Sequence, residues 1–310
     1  MTIPEADCGT CFGFQIRSGL PFSYLRGGTG QPLHIIVGSG AGPPDDNEQP
    51  VLHWAPPAAP FEARLYADAQ TYRLWIARGG WFAVDPHQRV ITASPLEDGI
   101  RQEERFWGIP SALCFAARGD VPLHAAAVEI GGRAVIVAAP GQFGKTTIAA
   151  GFAEAGHRVL SEDLTCVRPC PLPSVIPGPA MLRLRRDVVD QFAMPWGTVV
   201  GEHDGRVHVA MKDRGTCEPV PIAALVLLRW TGDRASIEPH AGIDALADLW
   251  TLSFHIPNSD GRTRCFQGLS ALLDEVPVFN LWRRPTFEGM RTAVDLVTEL
   301  GLSAASSART

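Results

Sequence analysis

One stretch of the chain, from Ala139 to Thr147, has the residue types and spacing that bind phosphate groups. It follows the phosphate-loop pattern G-x-x-x-x-G-K-[ST], except that Ala139 replaces the first glycine. In such a loop, successive backbone N–H groups and the N-terminus of the following helix face the anion. Lys145 would reach the β- and γ-phosphates, and the Thr146 hydroxyl would bind Mg²⁺. The nucleotide-binding residues that this pattern predicts are Gly141, Gln142, Phe143, Gly144, Lys145, Thr146 and Thr147.

Two adjacent carboxylates follow the loop closely. The segment from His157 to Ser161 predicts a short strand, and this strand ends in Glu162 and Asp163. A phosphate-loop enzyme needs an acid at the end of a neighbouring strand to organise Mg²⁺, and a kinase needs one to accept the hydroxyl proton. Glu162 and Asp163 are candidates for both tasks.

A histidine precedes the strand that leads into the loop. Apolar segments on either side of Gly131-Gly132 predict a hairpin that pairs Ala125–Ile130 with Arg133–Ala138. His124 then lies at the sheet edge where the loop emerges, although a histidine before an apolar strand is more often structural. The catalytic candidates are therefore His124, Lys145, Glu162 and Asp163.

Basic side chains are a further group of candidates. Only Lys145 and Lys212 are lysines among the 27 basic residues, and the others are arginines. In a chain with so strong a bias towards arginine, a lysine is a candidate for a functional role that a guanidinium cannot fill. Arg183, Arg185 and Arg186 form the densest basic cluster, at the entry to a helix predicted up to Phe192. Such a cluster could clamp phosphate oxygens, or it could be the solvated start of a helix.

The elements around these residues predict several units. Short alternating strands predict a β-rich N-terminal domain over residues 1–97, and two helices with a break near Gly108 predict a helical connector over residues 98–120. Within the connector, Glu103 and Glu104 are interpreted as part of a solvated face. Residues 121–302 predict an α/β (α+β) domain with a mixed sheet, and residues 303–310 predict a disordered tail.

Composition excludes several classes of protein. The chain has 310 residues, 45% of them hydrophobic and 19% charged, and a net charge of −6, which implies no general attraction to nucleic acid. Its apolar runs are far shorter than the roughly 20 residues of a membrane span. The N-terminus has no signal-peptide pattern, and seven scattered cysteines do not indicate a disulfide framework. The sequence thus predicts a cytoplasmic protein without a nucleic-acid or membrane partner.

The order of these motifs resembles the catalytic domain of the HPr kinase/phosphorylase family. The resemblance rests on Leu123-His124 before a hairpin, the Gly-Lys-Thr loop, a helix that ends in Ala155-Gly-His-Arg-Val-Leu160, and the acidic pair soon after it. It is best over residues 121–168. The β-rich N-terminal region and the phrase Leu-His-Ala-Ala-Ala-Val look closer to the HPr-kinase-like proteins of peptide-modification gene clusters, which include the kinases of lasso precursor peptides.

This resemblance implies an HPr-kinase-like fold and a Mg-ATP-dependent kinase that phosphorylates a serine of a peptide or protein. It implies that Glu162 stands at the position of the general base, that Asp163 and Thr146 hold the metal, and that His124 is the active-site histidine. Substrate or phosphate contacts are implied for two later segments, with Arg183, Arg185, Lys212 and Arg214 as candidates. The acceptor and the oligomeric state stay open, a homo-oligomer included.

Two other functions compete with this one. Ala139, the bulky Phe143 inside the loop, and Glu162 in place of aspartate motivate a nucleotide-binding regulatory or scaffold protein that has lost transfer activity. A nucleotide hydrolase of another phosphate-loop class is the third hypothesis. A GTPase is disfavoured, because no Asn-Lys-x-Asp stretch that would read guanine is present.

Overall fold

The N-terminal region is a mixed eight-stranded sheet. The computed structural model describes residues 6–43, 48–55, 62–232 and 234–307. The strands lie in the order β1-β2-β3-β8-β7-β6-β5-β4, with parallel pairing of β3 to both β2 and β8. Their bounds are β1 Ala6–Cys11, β2 Phe14–Ser18, β3 Gln31–Val37, β4 Leu52–Trp54, β5 Ala63–Asp68, β6 Thr71–Ile76, β7 Gly80–Asp85 and β8 Val90–Ala93. In β6, Tyr72, Leu74 and Ile76 are buried while the residues between them are more exposed, which is the period-two pattern seen in the sequence.

Two helices follow this sheet, α1 (Gly99–Phe106) and α2 (Ile109–Ala117), with the break between them close to the predicted position. The Asp98 side chain accepts hydrogen bonds from the backbone N–H groups of Ile100 and Arg101 and thereby caps α1. Both helices share one apolar core with the eight-stranded sheet. This core also includes Met181 and Ile256 of the later chain, so the β-rich region packs against the rest of the protein.

The later strands form a second large sheet and a small one. Their bounds are β9 Val121–Leu123, β10 Ala125–Ile130, β11 Arg133–Ala138, β12 Arg158–Ser161, β13 Thr165–Arg168, β14 Ser174–Ile176, β15 Met181–Arg185, β16 Gly197–His203, β17 Arg206–Met211, β18 Val220–Trp230, β19 Ser236–Pro239 and β20 Val278–Arg283. In the large, nine-stranded sheet, β12, β10, β11 and β18 lie side by side. Beyond β18 the sheet divides, with β20 and β19 on one branch and β14, β13 and β9 on the other.

The predicted hairpin has the register expected from the sequence. Ala125 pairs with Ala138 and Ile130 pairs with Arg133, and Gly131 and Gly132 make the turn with positive φ values of 60° and 81°. Strand β18 pairs in parallel with β11 and also with β20. Their carboxyl ends therefore meet at one edge of the sheet, where ligands of α/β proteins usually bind.

Helices cover both faces of the large sheet. The helices of this part of the chain are α3 Lys145–Glu154, α4 Arg186–Val189, α5 Gly242–Thr251, α6 Ser259–Glu275 and α7 Phe287–Ser307. Ile136 of β11 packs into a core with α5 and α6, whereas Val135 and Val137 pack into the opposite core with α3 and α7. The small sheet, in the order β15-β17-β16, packs against α3. The expected mixed α/β architecture with a β-rich N-terminal sheet is confirmed.

Two sequence expectations need correction. The segment from Met181 was predicted to lead into a helix up to Phe192, but residues 181–185 form strand β15, because they pair with β17, and α4 ends at Val189. The last helix runs to Ser307, although residues 303–310 were predicted to be disordered. Ala305 is buried and lies near Gly131 of the hairpin turn, so tertiary packing extends the helix. Residues 308–310 lie outside the described chain. The helices of the described ranges include none that is both long and apolar enough to cross a membrane.

Candidate active site

The phosphate loop connects β11 to α3 at the carboxyl edge of the large sheet. Gly144 has a positive φ of 87°, and a Cβ atom there would collide with the guanidinium of Arg283. Ala139, which replaces the first glycine of the pattern, is buried in the core beneath the loop with Ile148 and Val137. The methyl group therefore packs inward and does not fill the space where phosphates would lie.

Lys145 is 5% exposed and folds back over the loop. Its Nζ donates hydrogen bonds to the backbone carbonyls of Ala139 at 2.9 Å and Pro140 at 3.2 Å. Burial lowers the pKa of Lys145, and the charges of Asp163 and Glu162 counteract part of this effect. A buried ammonium that faces two backbone carbonyls is well placed to exchange them for phosphate oxygens.

Arg183 joins three carboxylates in one cluster. Its Nε donates to Glu162 Oε2 at 2.9 Å, its Nη2 to Asp163 Oδ2 at 2.9 Å, and its Nη1 to Glu104 Oε1 at 2.7 Å. Burial alone would lower the pKa of this guanidinium, but the three carboxylates raise it well above its usual value. Arg183 is therefore a permanent positive charge between the two acids that the sequence singled out.

Glu162 and Asp163 differ in their other partners. Glu162 accepts a hydrogen bond from the Thr146 hydroxyl and is buried, with a side chain 5% exposed. Asp163 Oδ1 lies 3.0 Å from His124 Nε2, and the Asp163 side chain is 45% exposed. The backbone N–H of His124 donates to the carbonyl of Leu252, which fixes the start of this segment.

The two neighbouring carboxyl groups also differ in their pKa values. Burial raises the pKa of Glu162, and Arg183 offsets only part of that effect. Burial would raise the pKa of Asp163 too, but the hydrogen bond from His124 and the charge of Arg183 bring it far below its usual value. Asp163 is consequently an anion at neutral pH, whereas Glu162 takes up a proton more readily.

Glu103 and Glu104 are not on a solvated face, as the sequence suggested; they are 4% and 9% exposed. Glu103 accepts hydrogen bonds from the backbone N–H groups of Ser23 and Tyr24, and Glu104 binds Arg183. Because adjacent residues point to different sides of a helix, one acid anchors α1 to the N-terminal sheet and the other reaches the acidic cluster.

A cavity of about 800 Å³ opens above the phosphate loop. The predicted loop residues line it from Gly141 to Thr147, together with His124 and Asp163. Its far walls come from later parts of the chain, namely Arg185, Asp187, Val188, Arg206, Trp230, Arg283, Pro285, Thr286, Phe287 and Met290. The structure therefore brings His124, Lys145, Thr146, Glu162, Asp163 and Arg183 together, with Arg185 on the cavity wall.

The other predicted basic residues lie elsewhere. Lys212 Nζ donates to the carbonyl of Pro195, and the backbone carbonyl of Arg214 accepts from Arg26. Neither residue lines the cavity above the loop. Arg186 forms an exposed ion pair with Glu202 and does not line this cavity.

Apart from Arg185, the residues of the far walls were not singled out in the sequence, and two of them contact the phosphate loop directly. Arg283 at the end of β20 is 4% exposed, and it donates from Nη2 to the Phe143 carbonyl at 2.8 Å and from Nη1 to the Arg284 carbonyl at 3.1 Å. Within the described ranges no carboxylate pairs with it, and burial lowers its pKa. Trp230 at the end of β18 stacks on Phe143, with ring centroids 4.4 Å apart. Each is the last residue of its strand. The expectation that the carboxyl ends of parallel strands meet at one edge of the sheet could therefore have pointed to both residues.

Comparisons with known proteins give matches among solved structures only. Among solved structures, the chain is similar to the HPr(Ser) kinase/phosphatase from Coxiella burnetii, with 10% sequence identity and a TM-score of 0.32, over 61% of this chain and 92% of that one. No protein-family model and no curated protein matches the sequence.

Proposed function

We propose that the protein is a Mg-ATP-dependent kinase that transfers the γ-phosphate to a hydroxyl group. The observation that supports this proposal most directly is the environment of Asp163. This carboxylate is half-exposed at the wall of the phosphate-loop cavity, and His124 and Arg183 hold one oxygen each. A nucleotide site alone does not need such an oriented carboxylate, whereas transfer to a hydroxyl does.

The loop and its cations would bind the triphosphate. Backbone N–H groups of the loop and the N-terminus of α3 offer hydrogen bonds and partial positive charge to the phosphates. Lys145 and Arg283 are two buried cations that line the same cavity. Arg283 has no carboxylate partner in the described chain, so a bound phosphate would be its counter-ion.

The residues present fit a magnesium ion. A hydroxyl and a carboxylate, from Thr146 and Glu162, are in contact, and Mg²⁺ prefers such oxygen donors. Within the described ranges no group of three or more His, Cys, Asp and Glu side chains could hold a metal by itself, but Mg²⁺ is usually held by one or two carboxylates together with substrate phosphates. When bound, the ion would neutralise charge on the β- and γ-phosphates.

We therefore exchange the roles that the sequence suggested for the two acids. Glu162 would hold the metal with Thr146, because it contacts Thr146 and is almost fully buried. Asp163 would receive the acceptor hydroxyl, because only its side chain is exposed enough to be reached. This assignment rests on the contacts and the exposure of the two side chains, which take precedence over their pKa values.

In the transfer, the acceptor oxygen forms a bond to the γ-phosphorus. The bond between the γ-phosphorus and the oxygen that bridges it to the β-phosphorus breaks, and ADP leaves. The hydroxyl proton passes to Asp163. A low pKa makes Asp163 a weak proton acceptor, but phosphoryl transfer depends mostly on positioning and electrostatic stabilisation. His124 acts on this step by orienting Asp163. The proposal that the acceptor is a serine of a peptide or protein, such as a lasso precursor peptide, derives from the sequence resemblance alone.

The two lysines of the chain provide the test. Labelled γ-phosphate is followed from ATP to serine-containing peptides with the wild type, Lys145→Met and the matched control Lys212→Met. Transfer and Mg-ATP binding should be lost in Lys145→Met. Both should be kept in Lys212→Met, because the exposed ammonium of Lys212 lies outside the cavity. Equal activity of the two variants would contradict the proposed site.

One observation favours a second function, that of a nucleotide-binding regulatory protein. The hydrogen bond from His124 and the charge of Arg183 hold the pKa of Asp163 low, which weakens this carboxylate as a base. This function requires that the wild type binds Mg-ATP tightly and transfers no phosphate to any hydroxyl. Measurable transfer by the wild type excludes it.

A further inference from the structure

Two smaller cavities reach the acidic cluster from the side of the β-rich region. One has a volume of about 170 Å³ and the other about 250 Å³. Both are lined by Glu104, Glu162, Asp163 and Arg183, and neither is lined by Lys145. Asp163 lines these two cavities and the phosphate-loop cavity as well. It is thus the point where the nucleotide side and the N-terminal side of the molecule meet.

The 170 Å³ cavity is lined by both apolar and charged side chains. The apolar lining includes Ile76 of β6, Trp107, Ile109 of α2, Leu164 and Met181. A cavity of roughly 150 Å³ is large enough for benzene, so this one accommodates one side chain of the size of leucine or phenylalanine.

The charged residues of this lining already take part in ion pairs. Arg183 binds Glu104, Glu162 and Asp163, and Arg105 lies 3.3 Å from Asp204 through its Nη2. A charged ligand in this cavity would therefore have to compete with existing ion pairs for a partner. Selection there depends on apolar fit, while Asp163 supplies the one exposed carboxylate.

We infer that the β-rich region forms part of the acceptor site, and that the acceptor is a peptide serine next to a leucine- or phenylalanine-sized apolar residue. The serine hydroxyl lies against Asp163, and the neighbouring apolar side chain fills the 170 Å³ cavity between β6, α2 and β15. This inference rests on the proposed kinase function. It gives the N-terminal sheet a direct part in the choice of substrate.

The test uses acetylated and amidated tripeptides with a central serine. Leucine, phenylalanine, glycine, aspartate or lysine occupies one neighbouring position, and glycine occupies the other. Leucine or phenylalanine should raise kcat/KM at least about tenfold over glycine, because each buried methylene contributes to discrimination. Equal rates with the glycine, leucine and lysine peptides would overturn the inference.

Variants of Ile109 connect the preference to this cavity. Ile109 is partly exposed at the start of α2, so Ile109→Trp should fill the cavity and reduce kcat/KM for the leucine peptide to that of the glycine peptide. Ile243→Trp, at a side chain 75% exposed on α5, is the matched control and should keep the preference. Ile109→Ala should move the preference from leucine towards phenylalanine, a gain that a misfolded protein cannot show.

A binding experiment tests the inference even if the protein transfers phosphate to none of these peptides. Saturation-transfer NMR should detect the leucine peptide with the wild type and not with Ile109→Trp. Absence of binding, or binding unchanged in Ile109→Trp, would overturn the inference. Mg-ATP binding, measured on the same samples, separates the two proposals: a chain without it fails the proposed function, whereas a chain with it and without peptide preference fails only this inference.

Discussion

His124 and Asp163 form a hydrogen-bonded pair, with Nε2 3.0 Å from Oδ1. Asp163 lies at the boundary between the phosphate-loop cavity and the two smaller cavities on the side of the β-rich region. An ionised carboxylate only accepts hydrogen bonds, so the histidine donates its Nε2 proton. This bond leaves Asp163 in a defined orientation although its side chain is half-exposed.

Loss of the histidine should therefore reduce turnover more than nucleotide binding. We expect His124→Gln to lower kcat about 10²-fold and Asp163→Asn at least about 10³-fold, with Kd for Mg-ATP changed by less than about threefold. The exposed His87, in the turn between β7 and β8, provides the matched control His87→Gln. Rates from steady-state transfer and Kd values from calorimetry check this; a large change of Kd in His124→Gln would contradict the assignment.

The exchanged roles of the two acids predict different responses to magnesium. In Glu162→Gln the Mg²⁺ concentration for half-maximal binding of Mg-ADP should rise at least about tenfold, because a ligand carboxylate is lost. Asp163→Asn should leave that concentration unchanged. Magnesium titrations followed by nucleotide binding, without turnover, distinguish the two; the reverse pattern would restore Asp163 as the metal ligand.

Arg283 is a buried cation without a carboxylate partner in the described chain, so its replacement should affect binding and stability differently. Arg283→Met should weaken Mg-ATP binding by about 10- to 100-fold, since a charged hydrogen bond contributes roughly 1.5–3 kcal/mol. Without nucleotide, the free energy of unfolding should change by less than about 1 kcal/mol, because relief of the buried charge offsets the lost hydrogen bonds. Arg284→Met, at the exposed neighbour, should change neither quantity. Equal affinities for the two variants would exclude Arg283 from the phosphate site.

Two neighbouring glutamates should give opposite pH dependences of stability. For Glu104, burial raises the pKa but Arg183 and Arg105 lower it further, to below its usual value. Its carboxylate thus contributes stability above about pH 4.3, the unfolded pKa, and this contribution is lost as pH falls below that value. Glu104→Gln should cost about 1–3 kcal/mol at pH 7 and progressively less in acid.

For Glu103, burial raises the pKa more than the backbone N–H groups of Ser23 and Tyr24 lower it. A raised pKa favours the folded state at low pH, and this advantage is lost as pH rises through the folded pKa. The cost of Glu103→Gln should therefore fall with rising pH, opposite to that of Glu104→Gln. Urea unfolding between pH 3.5 and 7.5 measures both; slopes of the same sign would contradict the environments described here.

The sequence by itself determined those parts of the protein in which neighbours along the chain fix the structure. The Gly131-Gly132 turn between two apolar segments set the hairpin register, and the Gly-Lys-Thr sequence between a strand and a helix set the phosphate loop. The strand before Glu162 and Asp163 was likewise predicted from its short segment, which follows the helix-ending Gly156. Turn chemistry and hydrophobic period are local properties, so each was visible without the fold.

Only the tertiary structure decided the partners of these residues. Arg183 lies on a strand because it pairs with His208 of β17, which is a long-range pairing that helix propensity does not reveal. Glu104 is buried because α1 packs between the N-terminal sheet and the acidic cluster, and Arg283 reaches the loop because β11, β18 and β20 are parallel. These contacts join residues far apart in the chain, and no local pattern encodes them. They place Glu162 and Asp163 in the two different environments on which their proposed roles rest.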